Sequence, residues 1–314
     1  MNKGFPIVDD NRIAASRGRK NETNPFQPYA WLVEKERTAA GQLIDTGIIF
    51  LTNKECPYKC LMCDLWKNTT DTRVPAGAIT EQIKWALAKM PGIRRLKLYN
   101  SGSFFDHNAI DPREYKEIAS LVSNFERIIV ECHPNLVNES ALRFRELLNT
   151  ELEIAMGLEI ADNEILRALN KKMTTNDYCR ASDFLRDNNM PVRTFVLLRP
   201  PFLTEHEGIT HAEKTVDFAF DNGSESCIII PVRAGNGAMD ELKAKGQFNE
   251  PRLRSLELVL ERCLKKKRGL VFADTWDLKL FSDCDKCFEK RLERITIMNN
   301  TQEVPFSASC DCLS

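Results

Sequence analysis

Three cysteines on one short segment constrain this chain more than any other feature. Cys56, Cys60 and Cys63 are spaced C-x3-C-x2-C and follow directly on the strongly apolar run 46–52. Three thiolates that leave a strand on one loop can each bind a different iron of a 4Fe–4S cluster. The fourth iron would then carry no protein ligand and could bind a cofactor. The spacing therefore predicts a reactive iron–sulfur site rather than a centre for simple electron transfer.

Two other roles for these cysteines stay open at this point. They could be buried structural thiols, or they could bind zinc, although zinc sites more often combine two C-x2-C units. The chain has 11 cysteines, and its first residues lack the apolar segment of a secretory signal. We therefore expect a cytoplasmic protein in a reducing compartment, where cysteines serve metal binding or catalysis more often than disulfides.

The cysteine loop, the apolar run before it and the residue before its last cysteine resemble the radical S-adenosylmethionine (SAM) superfamily. In that family the position of Met62 usually carries an aromatic or large apolar side chain that packs near the adenine of SAM. Methionine is soft and adaptable enough for the same contact. The resemblance implies a reduced cluster that cleaves SAM into methionine and a 5′-deoxyadenosyl radical.

Length and composition limit the kind of protein that carries this loop. The 314 residues suit one large domain with a small appendage. No run of 18 apolar residues occurs, so the sequence predicts no membrane-spanning helix. A formal net charge of −1 argues against a general polyanion binder and leaves room for a local basic face. We expect an N-terminal arm over 1–44, a core over 45–250 and a C-terminal helix with a cysteine-pair extension over 251–314.

From Gly47 onward the sequence alternates between short apolar runs and helical periodicity. The runs are continuous, as expected for parallel strands buried on both faces, and they lie at 48–52, 96–101, 127–132, 152–159, 192–198 and 226–232. Helical periodicity lies at 79–89, 113–124, 139–148, 163–169, 176–188 and 209–221. Six strand–helix units predict an α/β fold, a partial (β/α)6 TIM-like barrel. A later helix at 251–267 and a further strand at 270–273 lead into the small cysteine-bearing C-terminal extension.

The first 40 residues are polar and basic and show none of this alternation. We interpret them as a mobile arm, because polar chain ends are poorly ordered unless they are tied down. A short helix is expected near Tyr29 to Arg37.

In a TIM-like barrel the reacting groups gather at the C-terminal ends of the strands. The second predicted strand ends in Asn100 and Ser101, followed by Gly102 and Ser103. In the radical SAM superfamily a Gly-Gly-Glu-like segment at this position holds the SAM amino group, so the resemblance makes Asn100, Ser101 and Ser103 candidates for SAM binding. The glycine pair and the glutamate are absent here, and a plain turn is the alternative.

Three further residues end strands at the same edge. Glu159 ends the fourth strand, where a carboxylate can accept hydrogen bonds from ribose hydroxyls, and the segment 166–174 after it is similar to a pattern of the same family. Glu131 and His133 close the third strand and could face SAM or substrate. Glu159 could instead be an exposed charge, and His133 an ordinary loop residue.

Two arginines end the fifth and sixth strands. Arg199 precedes two prolines that force an extended exit from the strand, and it could bind the SAM carboxylate or an anionic group of the substrate. Arg233 lies in a loop at the same edge. Either arginine could instead form a surface ion pair.

The C-terminal extension carries a second group of cysteines. Cys284 and Cys287 form a C-x2-C pair, and Cys310 and Cys312 form a C-x-C pair. Four thiols in two close pairs could bind zinc or an auxiliary iron–sulfur cluster. Free thiols near a frayed terminus are the alternative.

A narrower resemblance rests on the segments 100–106 and 199–205 together with the cysteine-pair extension. Over roughly residues 45–312 the chain is similar to radical SAM proteins related to the elongator catalytic subunit, including the archaeosine-biosynthesis lyase that acts on a modified tRNA base. In that lyase the radical splits a lysine-derived adduct and releases an amidine on the base. The run 265–268, Lys-Lys-Lys-Arg, is a weak basic patch for RNA and is more often a solvated helix end.

The sequence therefore predicts a cytoplasmic radical SAM enzyme with a 4Fe–4S cluster and SAM as cofactors. A modified tRNA base or a small metabolite would be the substrate, and flavodoxin or ferredoxin the reductant. A tRNA-modifying enzyme is the expected protein partner, and no membrane is involved. Two hypotheses from other functional classes remain: an iron–sulfur electron-transfer or scaffold protein, and a zinc-dependent RNA-binding module.

Overall fold

The computed structural model of the protein describes residues 5–308 and residue 310. Within them, eight strands form one sheet: β1 (Ala30–Arg37), β2 (Leu43–Leu51), β3 (Arg95–Asn100), β4 (Arg127–Cys132), β5 (Glu151–Glu159), β6 (Val192–Leu198), β7 (Ser226–Pro231) and β8 (Leu270–Ala273). The α-helices of this part of the chain are α1 (Asp10–Ser16), α2 (Ala78–Leu87), α3 (Tyr115–Leu121), α4 (Glu139–Leu147), α5 (Asn163–Ala168), α6 (Thr175–Asp187), α7 (Glu205–Asp221), α8 (Ala238–Ala244), α9 (Leu253–Lys265) and α10 (Asp285–Thr301). None of these helices has the length and apolar character needed to cross a membrane.

The order of strands in the sheet follows their order in the chain. Strands β2 to β8 run parallel to one another, and β1 is added antiparallel to β2. Parallel neighbours joined by helices, in sequence order, produce the curved sheet of a partial TIM-like barrel. The predicted fold class is therefore confirmed, and the further strand expected at 270–273 is β8.

The prediction of a short helix near Tyr29 to Arg37 is wrong. This segment is β1, whose Ala30 pairs with Phe50 and whose Arg37 pairs with Leu43. The alternation of apolar and polar residues that marks a strand is absent here, because β1 directs charged side chains into the barrel interior. Glu36, for example, is 5% exposed. Such a carboxylate is tolerated only because cations from distant strands pair with it.

The two faces of the sheet carry different chemistry. On β3, Leu96 and Leu98 are fully buried beneath the helices, in one apolar core that runs along the outside of the sheet. Their neighbour Lys97 faces the other way and pairs with Glu34 and Glu36 of β1. Because β3 and β1 are not adjacent in the sheet, this contact crosses the concave interior of the barrel.

A buried ionic network fixes the floor of that interior. Arg193 of β6 donates two hydrogen bonds to Glu36, at 2.9 and 2.8 Å, and a third to Glu153 of β5 at 2.5 Å. Arg127 of β4 reaches Glu153 at 2.7 Å. Removing one partner from such a buried pair typically costs about 3–5 kcal/mol, because the other charge stays buried and unpaired. The network ties the edge strand β1 to the middle of the sheet.

Helix α10, which the sequence did not predict, covers the opening of the partial barrel. It packs against both β1 and β8, the two edges of the sheet. Its Asn299 and Gln302 side chains each donate to and accept from the backbone of β8, at Ala273 and Val271, with all four distances between 2.8 and 2.9 Å. These amides replace a neighbouring strand, so the edge of β8 has its polar groups satisfied.

The N-terminal segment is not a mobile arm in its described part. Ile13 of α1 is 1% exposed and packs with Val8 against Leu61 and Leu242 in a second apolar cluster. Arg17 pairs with Glu55 at 2.6 Å and lies over the ring of Trp66. These contacts hold residues 8–17 against the loop that follows β2.

Candidate active site at the mouth of the partial barrel

The cysteine loop follows β2 at the C-terminal edge of the sheet. Cys60 is 9% exposed, and Cys56 and Cys63 are partly buried. The loop backbone is held from two sides: Leu61 N–H donates to Leu169 O at 2.9 Å, and the Asn236 side-chain amide donates to the carbonyls of Leu61 and Cys63 at 2.8 and 3.0 Å. Residues far apart in sequence thus fix the three thiols relative to the barrel.

Gly102, in the turn after β3, lies against the first of these cysteines. A Cβ on Gly102 would stand 3.1 Å from Cβ and 3.5 Å from Sγ of Cys56. Its φ of +149° is also one that side-chain-bearing residues rarely adopt. Glycine is therefore what allows the β3 turn to approach the cysteine loop so closely.

The N-terminal segment braces the outside of the loop. Glu55 accepts from Arg17 at 2.6 Å and from Lys20 at 2.8 Å. Asn170, just after α5, donates to the Lys59 carbonyl at 2.7 Å and to Asp10 of α1 at 2.6 Å. Together these contacts bind α1, the end of α5 and the cysteine loop into one unit.

Burial of the cysteine loop opposes the ionisation of its thiols. Burial raises the pKa of Cys56 to about 12 and raises the pKa of Cys60 and Cys63 as well. Without a metal the thiols are therefore protonated at neutral pH, and metal binding must release those protons. Lys171 lies close enough to Cys56 and Cys60 to favour their ionised forms.

Lys171 also forms a buried ion pair with Glu159, with Nζ 2.5 Å from Oε1. Burial opposes the charge on Lys171, but Glu159 and Cys60 outweigh it and raise the pKa of the ammonium. Glu159 sits at a bulge in β5 with φ of +66°, and a Cβ on Gly157 would collide with both partners of the pair. The bulge and the lack of a side chain at Gly157 leave room for the Lys171 ammonium between Glu159 and the cysteine loop.

The three polar residues at the end of β3 are buried but differ in their partners. Ser101 donates to the Leu65 carbonyl at 3.0 Å, and Ser103 accepts from His133 N–H at 2.8 Å. Asn100 is 1% exposed, and neither its side-chain oxygen nor its nitrogen has a hydrogen-bond partner among the described residues. Asn100 is thus the one of the three whose polar side chain is still available to a ligand.

His133 connects the end of β4 to the cysteine loop. Its ring stacks on Tyr58 with centroids 4.0 Å apart, and its Nε2 lies 2.9 Å from the Lys171 carbonyl. Since Nδ1 accepts from Asn135 N–H, Nε2 carries the proton in a neutral ring. Burial and the charge of Lys171 lower its pKa to about 3, so the ring stays neutral.

Arg199 and Arg233 both form ion pairs, the alternative that the sequence left open. Arg199 pairs with Glu205 at 2.5 Å and donates to the Glu250 carbonyl at 2.8 Å. Arg233 pairs with Asp277 at 2.8 Å and with Asp64, next to Cys63, at 3.3 Å. Cofactor binding by Arg199 stays a prediction, and its observed contacts brace the loop after β6.

Two further sequence-predicted residues have apolar or buried settings. Met62 is partly buried and packs against the apolar cluster that contains Leu61 and Ile13. Glu131 points to the concave interior of the barrel, and burial raises the pKa of its carboxyl to about 8. Their roles toward SAM or substrate stay predictions.

The second cysteine group is also brought together. Cys284, Cys287 and Cys310 place their sulfurs within 4.8 Å of one another, and Sγ of Cys284 lies 3.8 Å from Sγ of Cys310. Cys312 lies outside the described residues. The guanidinium of Arg291 donates to Cys287 Sγ at 3.4 Å. Over the described chain, no comparably compact sulfur group is formed by Cys56, Cys60 and Cys63.

The basic run 265–268 is largely neutralised by neighbouring acids. Lys265 pairs with Glu261, Lys266 with Asp217 and Arg268 with Asp221. The pairs of Lys266 and Arg268 link the end of α9 and the residues after it to α7, and the pair of Lys265 lies within α9. Three of the four cations of the run therefore have acidic partners at the surface, which argues against an open basic patch.

Sequence reasoning missed two residues of this site. Lys171 lies in the segment used for the family resemblance, but its role depends on the bulge that brings it beside Glu159. Asn236 follows β7 among glycines, and nothing local shows that its amide reaches back to Leu61 and Cys63. The available signal in the sequence was an asparagine between two glycines, shortly after a predicted strand.

The chain is similar in sequence to several known proteins. A protein of Methanocaldococcus jannaschii called uncharacterized is 26% identical over 292 residues, which cover 84% of this chain and 79% of that protein. Archaeosine synthase subunit beta of Thermococcus kodakarensis is 29% identical over 166 residues, 50% of this chain and 51% of that one. The chain thus spans about half the length of the archaeosine synthase subunits that it matches.

Solved structures share the fold at low sequence identity. Elp3 of Methanocaldococcus infernus, with an N-terminal deletion, superposes with a TM-score of 0.54 at 13% identity, over 71% of this chain and 59% of that one. Methylornithine synthase superposes with a TM-score of 0.53 at 16% identity, over 71% and 63%. The family model for the radical SAM superfamily matches residues 51–215, which include the three loop cysteines and strands β3 to β6. With more than half of its length matched, the chain belongs to the radical SAM superfamily of enzymes.

Proposed function

We propose that this enzyme cleaves SAM reductively at a 4Fe–4S cluster bound by Cys56, Cys60 and Cys63. The observation that carries the proposal is the approach of Gly102 to Cys56, which brings the turn after β3 to the three-cysteine loop. In this position the cluster ligands and the strand-end residues share one barrel mouth, where TIM-like barrels carry out their chemistry. The matched family region includes both elements.

The residues present fit a cluster better than a single metal ion. Two thiolates on one tetrahedral zinc stand about 3.8 Å apart, since each Zn–S bond is about 2.3 Å. The cysteine loop does not form so compact a group among the described residues, and cluster ligands bind different irons and therefore stand further apart. Among the described residues, the three loop sulfurs thus lack the compact grouping of a zinc site.

When bound, such a cluster would supply the electron that splits SAM into methionine and a 5′-deoxyadenosyl radical able to take hydrogen from a substrate. The residues of the chain would bind the cluster and hold the cysteine loop in position. Asn236 and Asn170 hold the cysteine loop by its carbonyls. Lys171 places a positive charge beside the thiolates, and its pair with Glu159 keeps that charge in position.

The SAM contacts are proposed residue by residue. Asn100 is the strongest candidate, because its buried amide lacks a partner among the described residues. Glu159 and Lys171 together offer a carboxylate and an ammonium at the same mouth. For Met62, Ser101, Ser103 and Arg199 the proposal rests on the resemblance, and the serines already bond to the protein backbone.

We propose zinc for the group formed by Cys284, Cys287 and Cys310. The 3.8 Å between the sulfurs of Cys284 and Cys310 equals the separation of about 3.8 Å expected for two thiolates on one tetrahedral zinc. An auxiliary cluster would need its ligands on separate irons. Because Cys287 lies in the first turn of α10, an ion here would fix the start of the helix that covers the barrel opening.

For the substrate we propose a modified tRNA base, as the archaeosine synthase subunits suggest by their name and the sequence resemblance implies. A small metabolite is the alternative. The proposed partners are a flavodoxin or ferredoxin as reductant and a tRNA-modifying enzyme, in the cytoplasm. Since the run 265–268 is largely paired with acids, tRNA would have to be bound elsewhere on the chain or by the partner enzyme.

Iron and acid-labile sulfide per chain, after anaerobic reconstitution, test the cluster assignment. We expect about four of each in the wild type and a large loss in Cys60→Ala. Cys179→Ala is the matched control, because Cys179 is a partly buried thiol on α6, away from both cysteine groups. Equal iron in all three proteins would contradict the assignment.

A further inference from the structure

The cysteine loop is hydrogen-bonded to the segment that follows α5. The backbone N–H of Leu61 donates to the Leu169 carbonyl at 2.9 Å, and the Asn170 side chain donates to the carbonyl of the residue before Cys60 at 2.7 Å. The middle cysteine of the loop thus lies between two bonds to this segment. The next residue of the segment, Lys171, therefore starts from backbone that is fixed beside that cysteine.

The side chain of Lys171 is also held in place. The residue is 6% exposed, and its ammonium lies 2.5 Å from Oε1 of Glu159. A Cβ on Gly157 would stand 2.7 Å from the ammonium nitrogen, so the space that the ammonium occupies depends on that glycine. At the other end of the residue, the ring Nε2 of His133 bonds to the Lys171 carbonyl at 2.9 Å. The positive charge therefore has one position beside the cysteine loop.

Lys171 acts on the loop cysteines more strongly than its partner Glu159 does. Burial raises the pKa of Cys60, and among the surrounding charges Lys171 opposes this rise most, whereas Glu159 adds to it less. Burial is also the main cause of the raised pKa of Cys56, and Lys171 again acts against it. The ion pair therefore presents its positive end to the sulfurs, with its negative end further away.

Two other titratable groups that face Lys171 are neutral near pH 7. Burial, together with the charge of Lys171, lowers the pKa of His133 to about 3, so its ring stays uncharged. Burial raises the pKa of Glu131 to about 8, so its carboxyl keeps its proton. Neither group cancels the positive charge of Lys171 at the barrel mouth, and Glu159 is its ion-pair partner.

We propose that Lys171 raises the reduction potential of a cluster bound by the cysteine loop, and that Glu159 holds the ammonium in place and moderates its effect. This inference rests on the proposed function, because it concerns the cluster of that same site. Reduction moves one electron from the proposed flavodoxin or ferredoxin to a cluster that three thiolates already make negative. A fixed cation in a partly dry site favours the reduced form. A weaker reductant can then deliver the electron.

The test is a redox titration of the reconstituted holoenzyme without SAM, in which electron paramagnetic resonance measures the reduced cluster. In Lys171→Met the midpoint potential should fall by about 59 mV, which is a tenfold change for a one-electron couple. In Glu159→Gln the midpoint should rise, because the ammonium loses its counter-ion. Lys172→Met is the matched control, since the neighbouring Lys172 has a side chain that is 46% exposed and pairs with Asp10. Its midpoint should equal that of the wild type.

A double variant, Lys171→Met with Glu159→Gln, guards against damage from an unpaired buried charge, because it removes both partners. Its midpoint should still lie below that of the wild type, since the positive end of the pair faces the sulfurs. Circular dichroism and iron per chain check that each variant is folded and carries the same cluster.

Opposite shifts in the two single variants are the result that a merely structural disturbance would not produce. Midpoints of Lys171→Met and the double variant equal to the wild type, or shifts of the same sign in Lys171→Met and Glu159→Gln, would overturn the inference. Wild-type protein that forms no cluster would refute the proposed function as well. A cluster with one midpoint in all the variants would refute this inference alone.

Discussion

Gly102, in the turn after β3, and Cys56, in the loop after β2, meet at the mouth of the barrel, where a Cβ on the glycine would lie 3.1 Å from that of the cysteine. Few real Cβ atoms approach other atoms so closely, because protein interiors are already close-packed. The missing side chain of Gly102 therefore sets how near the turn after β3 lies to the cysteine loop.

Replacing Gly102 with alanine should displace the cysteine loop. We expect a loss of stability on the order of 1–3 kcal/mol from overpacking and a clear loss of bound iron after reconstitution. Gly92→Ala is the matched control, since Gly92 also has a positive φ, +83°, but nothing within 4 Å of the added Cβ. Iron content as high in Gly102→Ala as in Gly92→Ala would show that the close approach does not matter to the cluster.

Asn236→Asp should loosen the cysteine loop while keeping the size of the side chain. The aspartate can still accept from Met239 N–H, but it cannot donate to the carbonyls of Leu61 and Cys63. We expect a destabilisation on the order of 1–3 kcal/mol and faster release of iron to a chelator. In Asn188→Asp, which removes a donor to the Phe184 carbonyl at the end of α6, the release rate should equal that of the wild type.

Ile13→Ala tests whether α1 stabilises the loop that it covers. Ile13 is 1% exposed, so its truncation should cost about 2–5 kcal/mol, and amide exchange at residues 56–63 should accelerate. Ile7→Ala, at a side chain that is 63% exposed, should cost almost nothing. If denaturant titrations of the two variants agree, α1 is only loosely attached.

The C-terminal cysteines should bind metal independently of the loop. Cys284→Ser should lower zinc per chain, measured by elemental analysis, and leave the iron content unchanged, since the first cluster uses other ligands. Cys179→Ser should lower neither metal. Zinc retained in Cys284→Ser, or iron lost along with zinc, would contradict two separate sites.

Glu131 should make stability fall as the pH rises toward 8. Its pKa is raised by burial from the ordinary value of 4.5 to about 8, so the folded protein holds a proton that the unfolded chain has lost. The stabilisation is complete below about pH 4.5 and decreases up to about pH 8, by at most about 1.4 kcal/mol per pH unit. Urea unfolding at several pH values should show wild type losing stability relative to Glu131→Gln over this interval. Parallel curves for the two proteins would mean that Glu131 is ionised in the folded state.

The parallel strands could be read from the sequence because each is a continuous apolar run. The expected strand 127–132 coincides with β4, and 192–198 coincides with β6. For such strands burial on both faces leaves a strong local signal.

Strand β1 lacked that signal. Glu36 is acceptable in the barrel interior only through Lys97 and Arg193, and Arg193 lies 157 residues away from it in the chain. Long-range pairing of this kind overrides local propensity, and a single sequence does not reveal it. The same reason hid Lys171, whose partner Glu159 is brought to it by a bulge in β5.

The loop that carries the three cysteines was predictable because their C-x3-C-x2-C spacing follows directly on an apolar run. The residues that hold the loop were less so, since Asn236 acts through backbone carbonyls of a segment 173–175 residues away. The position of the cysteine loop after a strand can thus be predicted from the sequence, whereas the residues that hold the loop depend on the folded topology.

Cys60 is proposed to help bind a cluster that cleaves SAM, and 5′-deoxyadenosine formation tests this most directly. Anaerobically reconstituted, dithionite-reduced protein would be supplied with SAM, beside Cys60→Ala and Cys179→Ala. We expect product in the wild type and in Cys179→Ala and none in Cys60→Ala. Equal product from Cys60→Ala would show that Cys60 is not needed for SAM cleavage.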